Sequence, residues 1–371
     1  MPDRFSPAAC PRLIVKIGSA LLVDPSGSVR REWLAGVVAD IADRTRAGQQ
    51  VAVVSSGAIA LGARRLGLAK GGRASLEDAQ AAAATGQIAL SHCWAELLGA
   101  EGLTAAQMLV TLDDLEDRRR YLNASSTLER LLGLGVVPVI NENDSVATAE
   151  IRFGDNDRLA ARVAQAADAS GVILLSDIDG LYTANPHRDP TATRIGEVAR
   201  IDARIRAMAD DGSGSGMGSG GMVSKLEAAR IATTGGAHLA IATGKVDRPL
   251  TAFAAHGGTV FIAAERGRAR KTWLAGRLTA RGAIRIDAGA ARALAGGNSL
   301  LAAGAVAVEG RFARGDVVDI IGPEGPVARG LSEYDAADAG RIIGQRSTAL
   351  AALLGYAPRS ALVHRDHMVL V

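Results

Sequence analysis

A chain of 371 residues, 48% of them hydrophobic, is long enough to bury a sizeable core and to form more than one domain. No apolar stretch reaches the length of a bilayer span, and residues 1–11 lack the apolar core of a signal peptide, so we expect a cytoplasmic protein with no membrane partner. The net charge is only +3: residues 1–264 carry 27 basic and 29 acidic side chains and residues 279–371 carry 10 and 9, which argues against a nucleic-acid-binding surface.

Cysteine and histidine residues are few and scattered. The two cysteines, Cys10 and Cys93, are too far apart in the chain to indicate a disulfide framework or a four-ligand metal site. The six histidines have no acids or cysteines beside them at ligand spacing. We therefore assign no metal-binding residue.

The first part of the chain alternates short apolar runs with longer helical patterns. Helical periodicity spans residues 30–47, and Ser75 with Asp78 resembles a helix-start box before a long Ala-rich segment. Predicted strands occupy residues 12–17, 51–54, 136–140, 172–175 and 238–242. This alternation predicts an α/β fold with a mostly parallel open sheet sandwiched by helices.

The ends of the first four predicted strands are rich in small and polar residues. They read Gly18-Ser19, Ser55-Ser56-Gly57, Asn141-Glu142-Asn143-Asp144 and Ser176-Asp177. Because ligands of parallel α/β sheets bind beyond the carboxyl ends of the strands, we expect a site at this edge.

The chain changes character after residue 264. Residues 265–278 carry five basic side chains and one acid, and residues 284–287, 305–308 and 317–321 are short β-like runs separated by turn residues. We predict a first domain at residues 1–264, a linker at 265–279 and a small β-rich domain at 280–371.

A glycine-rich run at residues 212–225 leads into a helical pattern that extends to residue 233. Glycines let backbone N–H groups approach a polyphosphate, the following helix N-terminus favours anions, and Lys225 adds a mobile positive charge. The run does not match the P-loop pattern. Taken alone, it is equally consistent with a flexible Gly/Ser linker.

Charged side chains mark two further positions. Lys16 lies near the carboxyl end of an apolar strand, where burial is costly unless the ammonium meets an anion or reaches solvent. The acceptor-rich segments 141–144 and 154–157 are either solvated turns or a ligand site, since carboxylates packed so closely require a cation or an ammonium nearby.

Together these segments resemble the amino acid kinase family, and most closely its members that phosphorylate glutamate. The matching segments are residues 15–19, 55–59, 135–144, 154–157, 180–186 and 218–225, and the tail from about residue 280 resembles a PUA domain. The resemblance implies ATP-dependent phosphorylation of the γ-carboxylate of L-glutamate to L-glutamyl 5-phosphate, the first step of proline biosynthesis.

The resemblance also implies roles for individual residues and partners. The implied catalytic residues are Lys16, Lys225 and Asp157; the implied glutamate-binding residues are Ser56, Asp144 and Asn156; the implied ATP-binding residues are Lys16, Gly18, Ser176, Asp177, Ser219, Gly220, Gly221, Met222, Val223, Ser224 and Lys225. Mg²⁺ would arrive with ATP, proline would act as feedback inhibitor, and a glutamyl phosphate reductase would consume the product. A homo-oligomer, either a dimer or a tetramer, is a further implication.

Two alternatives remain open at this point. A related kinase could act on aspartate, N-acetylglutamate, a nucleotide or an isoprenoid phosphate, but only a free α-ammonium favours an acid at Asp144. A PUA-like tail could bind RNA, but its nearly balanced charge and few aromatic residues argue against RNA as a partner. Arg152 stands where the resemblance leads us to expect a lysine, so its role is left unassigned.

Overall fold

The computed structural model describes residues 2–146, 155–186, 188–210, 221–263, 280–359 and 361–371. It divides into two compact units, one formed by Met1–Glu116 with Ala124–Arg266 and the other by Asp117–Asn123 with Gly267–Val371. The predicted linker at 265–279, Arg152 and most of the glycine-rich run lie outside the described residues. The predicted domain boundaries remain a prediction.

The described part of the first unit contains an eight-stranded sheet in the order β3-β4-β2-β1-β5-β7-β8-β6. Its strands are β1 Arg12–Ile17, β2 Gln50–Ser55, β3 Ala105–Val110, β4 Val137–Glu142, β5 Gly171–Ser176, β6 Glu197–Val198, β7 His238–Thr243 and β8 Thr259–Phe261. All the pairings are parallel except that of β7 with β8. The predicted mostly parallel sheet is therefore confirmed, and all five predicted strands are present.

Helices follow most of these strands. Their bounds are α1 Ser19–Leu22, α2 Arg31–Arg46, α3 Ala58–Leu66, α4 Leu76–Ala100, α5 Leu112–Glu116, α6 Arg118–Gly133, α7 Asp155–Ala166, α8 Ala203–Asp210, α9 Met222–Thr234 and α10 Pro249–His256. The predicted start box is confirmed, since the Ser75 side chain accepts a hydrogen bond from the backbone N–H of Asp78 at the start of α4. Apolar faces of these helices bury the sheet, with Leu34, Trp94 and Ile173 inaccessible to solvent.

Helices α3 and α4 touch backbone to backbone. A Cβ on Gly62 would come within 1.8 Å of the carbonyl oxygen of Ala82, and one on Gly86 within 1.8 Å of that of Ala58. Only glycine fits at these two positions. The close approach fixes the depth at which α4 sits against the ends of the strands.

In the second unit the described residues form a five-stranded sheet in the order β10-β9-β11-β12-β13. Its elements are β9 Gly282–Ile286, α11 Ala288–Ala295, β10 Ala305–Gly310, β11 Val317–Gly322, β12 Gly325–Ser332, α12 Ala336–Ile342, α13 Leu350–Leu354 and β13 Val363–Leu370. Strands β9 and β11 are parallel and the other pairs antiparallel, around a core that includes Ile284, Phe312 and Val318. The three tail strands predicted from sequence are confirmed as β9, β10 and β11. Strands β12 and β13 were not predicted. No described helix is both long and apolar enough to cross a bilayer.

Candidate active site

The polar strand ends meet at one edge of the large sheet. Strands β4, β2, β1 and β5 are neighbours, and the parallel register pairs Lys16 of β1 with Val54 of β2 and Leu174 of β5. Their carboxyl ends therefore lie side by side, with Ser56 and Asp144 just beyond two of them.

A buried ion triad lies at this edge. Oδ1 of Asp157, in the first turn of α7, is 2.5 Å from Nζ of Lys16, and Oδ2 of the same carboxylate is 3.1 Å from Nζ of Lys225. Lys16 and Lys225 are only 7% and 6% exposed, and Asp157 is fully buried. Two buried cations share one carboxylate, so the triad carries a net charge of +1.

Burial and mutual proximity shift the acidities of this triad. Burial lowers the pKa of Lys16, the ammonium of Lys225 lowers it further, and the carboxylate of Asp157 opposes both effects. Burial alone would raise the pKa of Asp157, but the ammonium groups of Lys16 and Lys225 outweigh it and hold that pKa below its usual range. An arriving anion would offset the excess positive charge and relieve the cost of burying it.

Backbone groups border the triad on the side of β1. A Cβ on Gly18 would lie 3.7 Å from Nζ of Lys16, so the backbone of Gly18 runs directly beside that ammonium. Gly57, in the left-handed conformation with φ +113°, turns the chain from β2 into α3, and a Cβ there would come within 2.9 Å of Leu22. Glycine at position 57 thus makes room for Leu22, whereas at Gly18 the lack of a side chain lets a ligand approach the backbone N–H closely.

Helix α9 brings its N-terminal turn to the same place. Gly221 is its N-cap and makes no side-chain capping bond, and Met222, Val223 and Ser224 precede Lys225 in the first turn. The dipole and the first-turn N–H groups at a helix N-terminus favour an anionic ligand. Ser219 and Gly220, which the sequence also predicted as ATP-binding, lie outside the described residues.

At the carboxyl end of β5, the hydroxyl of Ser176 donates to Oδ1 of Asp177 at 3.1 Å. Ser176 is buried, Asp177 is exposed, and the charge of Asp177 raises the pKa of Lys16 against the larger effect of burial. These two predicted residues therefore lie on the rim of the triad.

A second network, made of neutral side chains, lies next to the triad. Nδ2 of Asn156 donates to Oγ of Ser56 at 2.7 Å and to Oδ1 of Asn141 at 3.1 Å. Oδ1 of Asn156 is buried and accepts no hydrogen bond from the described residues. A buried acceptor without a protein donor is available to a ligand N–H, an ammonium group or a water molecule.

Asp144 lies at the end of this region, with an exposed fraction of 9%. Desolvation lowers the pKa of Arg73, and the nearby carboxylate of Asp144 opposes that shift. The six predicted catalytic and substrate-binding residues thus fall into an ion triad, a hydrogen-bonded pair of Asn156 and Ser56, and a buried acid.

Sequence reasoning did not single out Gln87 and Trp94, two residues of α4 that hydrogen-bond to the ends of β4 and β2. Nδ2 of Asn141 donates to Oε1 of Gln87 on α4 at 2.9 Å, and Nε1 of Trp94, also on α4, donates to Oγ of Ser55 at 3.0 Å. Asn141 belonged to a predicted acceptor-rich segment. For Gln87 the available signal was a lone amide within the apolar stripe of a long helix.

Comparisons with known proteins agree with this geometry. The family model described as the amino acid kinase family matches residues 11–243, and the PUA domain model matches residues 282–354. The chain is 74% identical to a glutamate 5-kinase of Sphingopyxis alaskensis over 99% of both chains. It is 66% identical to a glutamate 5-kinase of Zymomonas mobilis over 99% of this chain and 93% of the relative, and 63% identical to one of Novosphingobium aromaticivorans over 98% and 97%.

These matches extend through both compact units, and the kinase model spans the strands that carry the triad and the amide network. The chain belongs to the amino acid kinase family and carries a PUA domain near its C-terminus.

Proposed function

We propose that the chain transfers the γ-phosphoryl group of ATP to the γ-carboxylate of L-glutamate, giving L-glutamyl 5-phosphate in the first step of proline biosynthesis. Relatives of high identity over nearly the whole chain are named glutamate 5-kinases. The observation that carries the proposal is the pair of buried ammonium groups held by Asp157, because phosphoryl transfer requires concentrated positive charge.

The chemistry needs little beyond positioning and charge. A glutamate side chain has a pKa of about 4.3 and is already ionised near neutral pH, so no general base is required. In our proposal its carboxylate oxygen attacks the γ-phosphorus, the bond to the β-phosphate oxygen breaks, and ADP leaves. Lys16 and Lys225 stabilise the charge on the transferring group, and Asp157 orients both ammonium groups.

We assign ATP to the side of the triad formed by Gly18, Ser176, Asp177 and the start of α9. The N–H groups of that helix turn suit the phosphates, with Ser219 to Lys225 contributing as the sequence predicted. Mg²⁺ prefers oxygen ligands and retains water, so we propose that it is held mainly by the phosphates. Both carboxylate oxygens of Asp157 are already engaged by lysines, which makes this buried acid a poor metal ligand.

We assign glutamate to the neutral side. Ser56 and Asn156 are hydrogen-bonded to each other, and Oδ1 of Asn156 is a buried acceptor suited to an ammonium N–H. Asp144 supplies a buried negative charge for the same α-ammonium. The supporting observation is that acceptors predominate here while cations predominate at the triad, which matches the two ends of the amino acid.

Further properties are proposed from the resemblance. They are a cytoplasmic location, a dimer or tetramer, proline as feedback inhibitor, and a reductase that consumes the product. The product is an acyl phosphate, and such compounds are labile toward nucleophiles, which supports prompt consumption. We also propose the domain division at residues 264 and 280.

A substrate panel tests the central assignment. With ATP and hydroxylamine, the acyl phosphate is trapped as a hydroxamate, and we expect a strong signal with L-glutamate and little with L-aspartate or N-acetylglutamate. ADP release serves for nucleotide and isoprenoid phosphates, which form no hydroxamate. Turnover of aspartate without turnover of glutamate would overturn the assignment.

A further inference from the structure

The amide network of the active site extends to a side chain that has no place in the proposed chemistry. Gln87 lies in the middle of α4, is only 8% exposed, and receives a hydrogen bond from Nδ2 of Asn141 through its Oε1. Its Nε2 donates to Oγ of Ser91 one turn later, and Ser91 donates back to the backbone carbonyl of Gln87. Gln87 is therefore fixed at both ends of its amide.

The orientation of the amides in this chain is set by a donor that cannot be reversed. Oδ1 of Asn141 accepts from the backbone N–H of Glu142 at 2.9 Å, and a backbone N–H can only donate. Nδ2 of Asn141 must then face Gln87, and Oδ1 of Asn141 must face Nδ2 of Asn156. Asn156 in turn keeps its Oδ1 turned away from both amides, where no described residue donates to it.

The position of Gln87 depends on the close contact of α3 with α4. Gly86, the residue before it, lies against the backbone of Ala58, and Gly62 lies against that of Ala82. Trp94 anchors the same helix to the end of β2 through Ser55. Helix α4 thus braces two strand ends at once, β2 through Trp94 and β4 through Gln87.

We infer that Gln87 is a positioning residue for glutamate: by accepting from Asn141 it holds the Asn141–Asn156 pair so that Oδ1 of Asn156 meets the α-ammonium. The inference rests on the proposed function and deepens it. Without the acceptor on Gln87, Nδ2 of Asn141 is left buried and unpaired, and the amide pair loses its fixed geometry. Transfer of the phosphoryl group at the triad does not involve this network.

The test compares Gln87→Met with Gln87→Glu and Ser91→Ala in the full-length enzyme. Methionine keeps the size but removes the acceptor, and we expect KM for glutamate to rise about tenfold while kcat and KM for ATP stay within about twofold. Gln87→Glu keeps an acceptor at this position, so KM for the substrate glutamate should stay within about threefold of wild type. Ser91→Ala removes only the outer partner of the Gln87 amide and keeps its acceptor, so it should raise KM for glutamate much less than Gln87→Met does.

Thermal unfolding of each variant separates this effect from a loss of stability. An unchanged KM for glutamate in folded Gln87→Met would overturn the inference, as would equal increases in all three constants. If Gln87→Met does not fold, a large rise of KM in Gln87→Glu would overturn it instead. If the wild-type enzyme fails to phosphorylate glutamate, the proposed function and this inference are both overturned. If the wild-type enzyme phosphorylates glutamate and folded Gln87→Met has an unchanged KM, only this inference is overturned.

Discussion

Two adjacent residues in the first turn of α7 occupy opposite kinds of environment. Asp157 holds two ammonium groups in a buried cluster with net positive charge, whereas Asn156 joins a chain of neutral hydrogen bonds through Ser56, Asn141 and Gln87. A single helical turn therefore contributes both to a region suited to transferring phosphate and to one suited to holding an amino acid. The difference teaches that adjacent residues of one helix can serve a concentrated positive charge on one side and neutral hydrogen-bonding groups on the other.

The two regions also differ in how folding stabilises them. In the amide chain almost every buried polar group has a neutral partner, so its burial costs little. The triad buries two ammonium groups around one carboxylate, and an anion that binds there would offset the cost of burying them. The amide chain therefore costs the folded state little free energy, whereas the triad costs it more and favours the binding of an anion.

The largest effect is expected from Asp157→Asn. Removing the carboxylate takes away the counter-ion that the two buried ammonium groups share, and we expect the free energy of unfolding to fall by about 3–5 kcal/mol. Chemical denaturation in the absence of nucleotide measures it. The matched control is Lys225→Met, which leaves a neutral Lys16–Asp157 pair and should cost far less stability. Equal destabilisation by the two variants would contradict the net-charge argument.

Loss of either lysine should impair catalysis strongly. We expect Lys16→Ala and Lys225→Ala each to lower kcat by about 10²–10³-fold, the usual effect of removing one group that stabilises transition-state charge. Steady-state rates at saturating glutamate and ATP measure this, with circular dichroism to show that the fold persists. Near-wild-type turnover in both variants would remove the lysines from the proposed mechanism.

A smaller effect is expected in the pH dependence. Burial lowers the pKa of Lys16, so its ammonium loses the proton at a pH below the ordinary lysine value of about 10.4. Since the charged form is the active one, kcat/KM for ATP should decline on an alkaline limb below that pH. Lys16→Arg, which stays charged, should move the limb upward. A limb at the same pH in both proteins would show that another group causes it.

Much of this arrangement could be predicted from the sequence. Lys16, Ser56, Asp144 and Ser176 lie at or just beyond strand ends, and parallel strands bring their carboxyl ends to one edge. The apolar runs of the central strands are unmistakable because both faces are buried.

The remainder could not be predicted, for physical reasons. Strand β3 is half exposed and reads Ala-Ala-Gln-Met-Leu-Val, so it lacks a continuous apolar run, and β12 contains Pro326 and two glycines. The partnership of Gln87 with Asn141 spans 54 residues and depends on how closely α3 approaches α4. Neither the contact between Gln87 and Asn141 nor the close approach of α3 to α4 can be read from local sequence patterns.

The central claim is that Asn156 and Lys225 serve different steps, and one kinetic comparison tests it most directly. We would measure kcat and KM for glutamate in Asn156→Ala and Lys225→Ala under the same conditions. The account predicts that Asn156→Ala raises KM about 10- to 100-fold with kcat within about threefold, since a hydrogen bond to a charged group is lost. For Lys225→Ala it predicts a kcat reduced about 10²-fold or more with KM within about threefold. The same pattern of change in both variants would contradict it.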